Sequence, residues 1–148
     1  MKMFLYLGLL LTAFFVNADQ VSFNDPYYLP EDATYISLDK VRMNVVQTPR
    51  TPAHNVVNYE TIFTFSQTGR FVSAEYSGGR IKQGYLVGFL FGDQLIFSYC
   101  QLQSDVRFDN GTSEFTISRA ENGKITLVEE FEVESEPGVY AINVLQEL

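Results

Sequence analysis

The sequence predicts an all-β protein, and the favoured architecture is an up-and-down antiparallel barrel of about eight strands, similar to the lipocalin and calycin barrels. Short segments with period-two alternation of apolar and polar residues recur, glycine-containing turn signals separate them, and no segment carries a convincing helical stripe. Strands joined by short turns leave no room for the crossovers that parallel pairs need. Closure into a barrel pairs every strand edge, so we favour it over the alternative, a two-sheet sandwich.

The first half of the barrel is predicted from four segments. Alternation indicates strands over 41–45, 59–66 and 71–76, whereas 85–91 is apolar on both faces. Gln67-Thr68-Gly69 lies between the second and third of these segments. Glycine tolerates the backbone angles of tight hairpin turns, so this spacing predicts consecutive antiparallel hairpins.

The second half continues the same pattern with strands predicted over 95–103, 115–118, 125–133 and 139–145. Cys100 lies among aromatic and apolar residues, which favours a small core side chain over a nucleophile. Asn-Gly and Pro-Gly pairs favour turns at three places. These are Asp109-Asn110-Gly111, Glu121-Asn122-Gly123 and Glu136-Pro137-Gly138.

The domain organisation is predicted to have three parts. Residues 1–18 have the features of a secretory signal, because Lys2 precedes an apolar run over 4–16 that is too short to span a membrane comfortably. Residues 19–35 are rich in proline and acidic residues and are expected to form an extended arm. Residues 36–148 form a single barrel domain. We therefore expect a secreted or periplasmic protein with no membrane association after cleavage.

Composition narrows the partner and cofactor classes. The formal net charge of −8 disfavours binding to nucleic acid or to anionic lipid. The single cysteine cannot form an internal disulfide, and one cysteine with one histidine makes a zinc site improbable. His54 lies in a loop and is expected to be exposed. No phosphate-binding loop precedes a helix, so we expect no cofactor and no metal.

Glu129 is the most informative single residue. It is in phase with Leu127 and Phe131, so it should point inward if they do. A buried carboxylate must be paired, hydrogen-bonded or neutralised. Glu129 would therefore anchor a ligand, act as an acid, or form a structural bond with a facing strand.

A set of aromatic and polar side chains is predicted to converge in the barrel. A few polar groups in an apolar cup are typical of a small-molecule pocket. We expect a binding module for a small, largely apolar ligand or a partner protein. The alternatives are an enzyme that uses Glu129 with Tyr76 or Tyr99, and a filled barrel that acts only through its surface. The predicted ligand-binding residues are Phe63, Gln67, Tyr76, Arg80, Phe97, Tyr99, Gln101 and Glu129.

A spaced pattern of residues runs through the chain from Thr61 onward: Thr61, Phe63, Phe65, Gln67, Gly69, Tyr76, Gly78, Gly79, Ile81, Gly84, Leu86, Gly88, Tyr99 and Leu127-Val128-Glu129. In this pattern the chain resembles a family of small, mostly bacterial β-rich proteins often labelled N-acetylglutamate-synthase-like. Gln101 stands where that family often has His, which removes a candidate for proton transfer, and Phe131 and Val133 replace family aromatics. An acetyltransferase would need helices and a glycine turn for its coenzyme, and neither is predicted, so the sequence does not support that activity.

Overall fold

The computed structural model describes residues 35–51, 54–133 and 135–148. The signal segment predicted over 1–18 lies outside the described residues. The same is true of the predicted arm, apart from its last residue. Both therefore stay predictions.

Eight antiparallel strands form one closed barrel in which each strand pairs with its neighbours in chain order. This confirms the predicted eight-stranded up-and-down barrel of calycin type. The strands are β1 Arg42–Gln47, β2 Ile62–Thr68, β3 Phe71–Gly78, β4 Ile81–Phe91, β5 Gln94–Gln103, β6 Phe108–Arg119, β7 Ile125–Glu132 and β8 Tyr140–Glu147.

Pairing between the first and the last strand closes the barrel. Val45 of β1 lies opposite Leu145 of β8, and a bulge follows between Val45 and Gln47. Both side chains are fully buried. Every strand therefore has a neighbour on each side. The ladder between β6 and β7 covers only Thr116–Arg119 and Ile125–Val128, so these two strands pair only near the turn that joins them. Within the described ranges, no helix is long and apolar enough to cross a membrane.

Strand β5 shows the alternation that the sequence predicts. Leu95 and Phe97 are buried inside the barrel, whereas Ser98 and Cys100 are exposed on its outer surface. The interpretation of Cys100 as a core side chain was therefore wrong. Its flanking residues are apolar, but the odd-numbered residues of β5 face inward, so period two places the even-numbered Cys100 on the outside.

One end of the barrel is closed by the chain that precedes β1. Leu38 is fully buried there, and its backbone N–H donates to Oε1 of Gln67 at 2.8 Å. The backbone N–H of Lys40 donates to the carbonyl of Phe65 at 3.1 Å. We call this the closed end. The hairpin turns β2–β3, β4–β5 and β6–β7 lie at this end, and the connections β1–β2, β3–β4, β5–β6 and β7–β8 form the opposite, open end.

The predicted turn at Asp109-Asn110-Gly111 was wrong, because these residues lie inside β6, where Gly111 pairs with Tyr99. The connection from β5 to β6 comes earlier, where Val106 adopts a φ of 68°. Gly111 instead leaves room for Tyr99, because a Cβ at residue 111 would lie 3.0 Å from the hydroxyl oxygen of that tyrosine. The glycine serves close packing of that ring. The turns predicted around Gly123 and Gly138 are confirmed, with φ values of 80° and 84°.

Gly84 leaves room for the ring of a second tyrosine, and the packing is tighter there than at Gly111. A Cβ at Gly84 would lie 2.2 Å from a ring carbon of Tyr76, and that ring is itself stacked on Phe63 with 4.5 Å between centroids. The ring is buried and held on its far side, so it cannot move away freely. The ring of Tyr76 can therefore take this position only because residue 84 on β4 has no side chain.

We expect Gly84→Ala to lower the free energy of unfolding by about 1–3 kcal/mol, the usual cost of overpacking a well-filled core. The loss should exceed the few tenths to 1 kcal/mol that replacing a glycine gains from the unfolded chain. Urea unfolding followed by circular dichroism measures the difference.

Gly111→Ala is the matched control for this substitution, because its new Cβ would meet only the hydroxyl end of the Tyr99 ring, at 3.0 Å and beyond. It should destabilise the protein less than Gly84→Ala. Equal stability of Gly84→Ala and the parent protein would contradict the proposed packing role.

Candidate functional site

A cavity of about 730 Å³ opens at the open end of the barrel. The closed half is filled by fully buried apolar side chains such as Phe65, Leu95 and Leu127. The open half instead presents aromatic and polar side chains around an unfilled space. Eight-stranded barrels are just wide enough either to be filled by side chains or to hold one small ligand, and this barrel combines the two.

Two stacked aromatic pairs form much of the cavity wall. Phe63 and Tyr76 stack with 4.5 Å between centroids, and Phe97 and Phe115 stack at 4.8 Å. Tyr99 lies next to Phe97 at 6.4 Å, with its ring tilted by 53°. Stacked rings of this kind are rigid apolar surfaces with limited rotamer freedom. They give the cavity a preformed apolar lining.

A chain of side-chain hydrogen bonds crosses one wall of the cavity. The hydroxyl of Tyr76 donates to Oε1 of Gln101 at 3.0 Å, and Nε2 of Gln101 donates to Oδ2 of Asp109 at 2.9 Å. An ionised carboxylate only accepts hydrogen bonds, so Asp109 requires the amide nitrogen of Gln101 to face it. The amide oxygen is then left for Tyr76, whose hydroxyl must be the donor.

Burial raises the pKa of Tyr76 above its ordinary value of 10.0, and the nearby Tyr99, Cys100, Glu129 and Asp109 raise it further. The phenol therefore stays protonated across the physiological range. This keeps the hydroxyl available as the donor to Gln101 and favours a positioning role over proton transfer near neutral pH.

A second polar pair lies on β7 and β8. Nδ2 of Asn143 donates to Oε2 of Glu129 at 2.9 Å, so the predicted inward orientation of Glu129 agrees with the structure. Asn143 is only 6% exposed, and its Oδ1 atom is buried without a hydrogen-bond partner. A buried acceptor without a partner costs free energy, about 1–3 kcal/mol, and such groups need an explanation.

The structure brings six of the eight predicted site residues together in the cavity lining. They are Phe63, Tyr76, Phe97, Tyr99, Gln101 and Glu129. Whether they hold a ligand stays a prediction.

Gln67 and Arg80 lie outside the cavity lining. Gln67 is at the closed end, because β2 runs away from the cavity from Phe63 onward, and its amide donates to the carbonyl of Gly69 at 2.8 Å. Arg80 lies in the β3–β4 turn at the rim, where it contacts Asn55 at 3.5 Å. A position at a strand end does not reveal from sequence which end of the barrel it occupies.

Asp109, Asn143 and His54 are among the cavity residues that were not predicted as ligand-binding. Asp109 was assigned to a turn, although its place opposite Gln101 follows once β6 is extended. Asn143 lies opposite Glu129 in the β7–β8 register, a pairing that hairpin counting could have found. His54 is only 13% exposed rather than freely solvated, and its Nε2 lies 3.5 Å from Oγ of Ser135. No sequence signal links the loop of His54 to Ser135.

The described residues contain no group of three or more His, Cys, Asp or Glu side chains able to hold a metal ion. The hydrogen-bonding side chains of the site form two sets. Tyr76, Gln101 and Asp109 supply one set, and Glu129 and Asn143 supply the other.

A closed eight-stranded antiparallel barrel with a cavity at one end defines the class as a calycin-like barrel protein. Residues 36–148 match the family model described as "Avidin-like protein", and the chain belongs to this avidin-like family. No curated protein and no solved structure matches the chain significantly.

The family match refines the resemblance stated from the sequence. The general expectation of a small β-rich family is confirmed, since the matched family is one of small β-barrels. The N-acetylglutamate-synthase-like label finds no support in these comparisons.

We expect Tyr76→Phe to destabilise the protein by about 1–3 kcal/mol at neutral pH, because it leaves a buried acceptor on Gln101 without its donor. The difference from the parent protein should be constant below pH 10, where the phenol is protonated in both folded and unfolded chains. Above pH 10 the unfolded chain loses this proton while the folded chain keeps it. The parent protein therefore loses stability relative to Tyr76→Phe as the pH rises.

Urea titrations between pH 7 and pH 11 check this expectation. Tyr85→Phe is the matched control, since Tyr85 is on the outer face of β4 and half exposed. It should show neither the neutral-pH loss nor the alkaline convergence. A Tyr76→Phe difference that does not shrink above pH 10 would show that Tyr76 is not protected from ionisation in the fold.

Proposed function

We propose that this protein binds one small organic ligand with a largely apolar body in the open half of its barrel. The observation that carries the proposal is the cavity of about 730 Å³ with stacked aromatic walls and a few convergent polar side chains. Pockets of this size and lining are typical of small-molecule sites. Membership of the avidin-like family also supports ligand binding in the barrel.

The arrangement favours binding over the two alternatives. A filled barrel would leave no space in the open half, whereas the cavity is large enough for a ligand of many atoms. An acid–base site using Tyr76 would need its pKa near neutrality, and burial moves that pKa in the opposite direction. Docking of a partner protein would have to use the rim, since a folded domain cannot enter the cavity.

We also propose that the protein acts outside the cytoplasm. The support is the basic start and short apolar run over residues 1–18, which lie outside the described residues. N-terminal sequencing of the protein recovered from its own host checks this point. A chain that begins near Asp19 is expected, and one that keeps residues 1–18 would contradict the proposal.

Filling the cavity should abolish binding. Ser113 lines the cavity from β6, so Ser113→Trp places an indole in the space that a ligand would occupy. We expect the neutral dye N-phenyl-1-naphthylamine to fluoresce on binding the parent protein and to lose at least tenfold in affinity in Ser113→Trp. Native mass spectrometry of the protein from its own host should show a carried ligand.

Glu114→Trp is the control, because Glu114 is the next residue of β6 and is exposed on the outer face. It should bind the dye like the parent protein. Equal dye binding by Ser113→Trp and Glu114→Trp would place the dye outside the barrel and contradict the proposed site.

A further inference from the structure

The cavity has an unbalanced set of charges. Its lining includes the carboxylates of Asp109, Glu129 and Glu132, and no Lys or Arg is found among the described residues that line it. Two arginines in connections of the open end have contacts of their own: Arg107 pairs with Asp105 at 2.6 Å, and Arg80 contacts Asn55 at 3.5 Å. The chain as a whole carries a formal net charge of −8. A concave site lined by one sign of charge concentrates ligands of the opposite sign.

The hydrogen bonds of the two polar sets also favour a ligand that donates hydrogen bonds. The assigned donors of the two polar sets, the Tyr76 hydroxyl and the Gln101 and Asn143 amides, donate to other wall residues. Two carboxylates receive these bonds, and each carboxylate can accept several more. Within these two polar sets, the capacity to accept hydrogen bonds therefore exceeds the donors that are left.

The unpartnered oxygen of Asn143 is an independent sign of a missing donor. Its amide nitrogen is fixed on Glu129, so the amide cannot turn to give the oxygen another role without losing that bond. Oδ1 is buried and has no partner in the protein. This oxygen and the Glu129 carboxylate belong to residues that face each other across β7 and β8, and both lie on residues that line the cavity. A protonated amine has three donors and one charge, which suits such a pair.

The aromatic walls suit the same ligand class. The faces of aromatic rings carry partial negative charge, and cations placed over Tyr or Phe are stabilised by about 0.5–2 kcal/mol. The stacked pairs of Phe63 with Tyr76 and Phe97 with Phe115 lie in the same cavity as the carboxylates. An apolar body can pack on these rings while its charged end reaches the acid side chains.

We propose that the ligand of this cavity is an organic cation, namely a protonated amine or amidinium on an apolar or aromatic body, with Glu129, Asn143 and Asp109 as its polar partners. This inference rests on the proposed ligand-binding function and names its ligand class. An anionic ligand would have to bring its charge beside the carboxylates without an arginine or lysine in the lining to neutralise it.

Three probes that share one body test the charge preference. They are 3-phenylpropylammonium, the neutral 3-phenylpropionamide and the anionic 3-phenylpropionate, each used to displace N-phenyl-1-naphthylamine and each also titrated directly by calorimetry. The cation should bind at least tenfold more tightly than the amide, and the anion should be the weakest. The preference should weaken with added salt, because part of it is electrostatic.

Glu129→Gln and Asp109→Asn remove one charge each with almost no change of shape. Each should reduce the affinity for the cation about tenfold more than the affinity for the neutral dye, and circular dichroism shows whether the variant is folded. Glu130→Gln is the matched control, since Glu130 is the next residue of β7 and is exposed on the outer face. It removes the same charge from the protein and should keep the affinity for the cation.

Different results separate the two proposals. Dye binding that is lost in Ser113→Trp, together with no preference for the cation, would overturn the cation inference and leave the ligand-binding function standing. The same holds if both Glu129→Gln and Asp109→Asn keep the full preference. Absence of binding by the dye and by all three probes would overturn the ligand-binding function and the cation inference together.

Discussion

Closure of the barrel by pairing of β1 with β8 is the constraint on which the rest of the structure depends. Once Val45 and Leu145 meet in register, every strand has a neighbour on each side, and each strand must turn alternate side chains into a common interior. A shift of one residue in any pairing would exchange the inner and outer sets of that strand. The apolar side chains of the closed half oppose such a shift, because it would move residues such as Phe65 and Leu127 into water.

The polar groups of the open half exist only because that register is fixed. Gln101 can join Tyr76 to Asp109 only if β5 lies between β4 and β6 with its odd-numbered residues inward. Asn143 can reach Glu129 only because the two residues face each other across β7 and β8. Buried polar networks of this kind add specificity when every member is satisfied. The apolar closed half supplies the stability that lets the open half keep an empty space and unsatisfied acceptors on Gln103 and Asn143.

Much of this architecture could be predicted from periodicity, because period two acts along a single strand and needs no knowledge of its neighbours. The inward orientation of Glu129 followed from its phase with Leu127 alone. Long-range placement could not be predicted in the same way: the end of the barrel that Gln67 occupies depends on strand direction, and the burial of His54 depends on a loop meeting residues 81 positions away. Asp109 was missed because an Asn-Gly pair favours a turn locally, whereas packing of a tyrosine ring explains that glycine in the folded chain.

The two glycines beneath the tyrosine rings explain why a cavity exists in a barrel that side chains could have filled. Gly84 and Gly111 lie on the strands that flank β5, and each leaves room for a ring that lies against the wall instead of pointing across the interior. Tyr76 and Tyr99 therefore contribute surface to the cavity without occupying its volume. The rings still stabilise the barrel, because they contact backbone and neighbouring aromatic rings along the wall, while the centre of the barrel stays open. The same positions keep the phenol of Tyr76 within reach of Gln101, so the shape of the cavity and its hydrogen bonding have a common origin in the backbone of the strands on either side of β5.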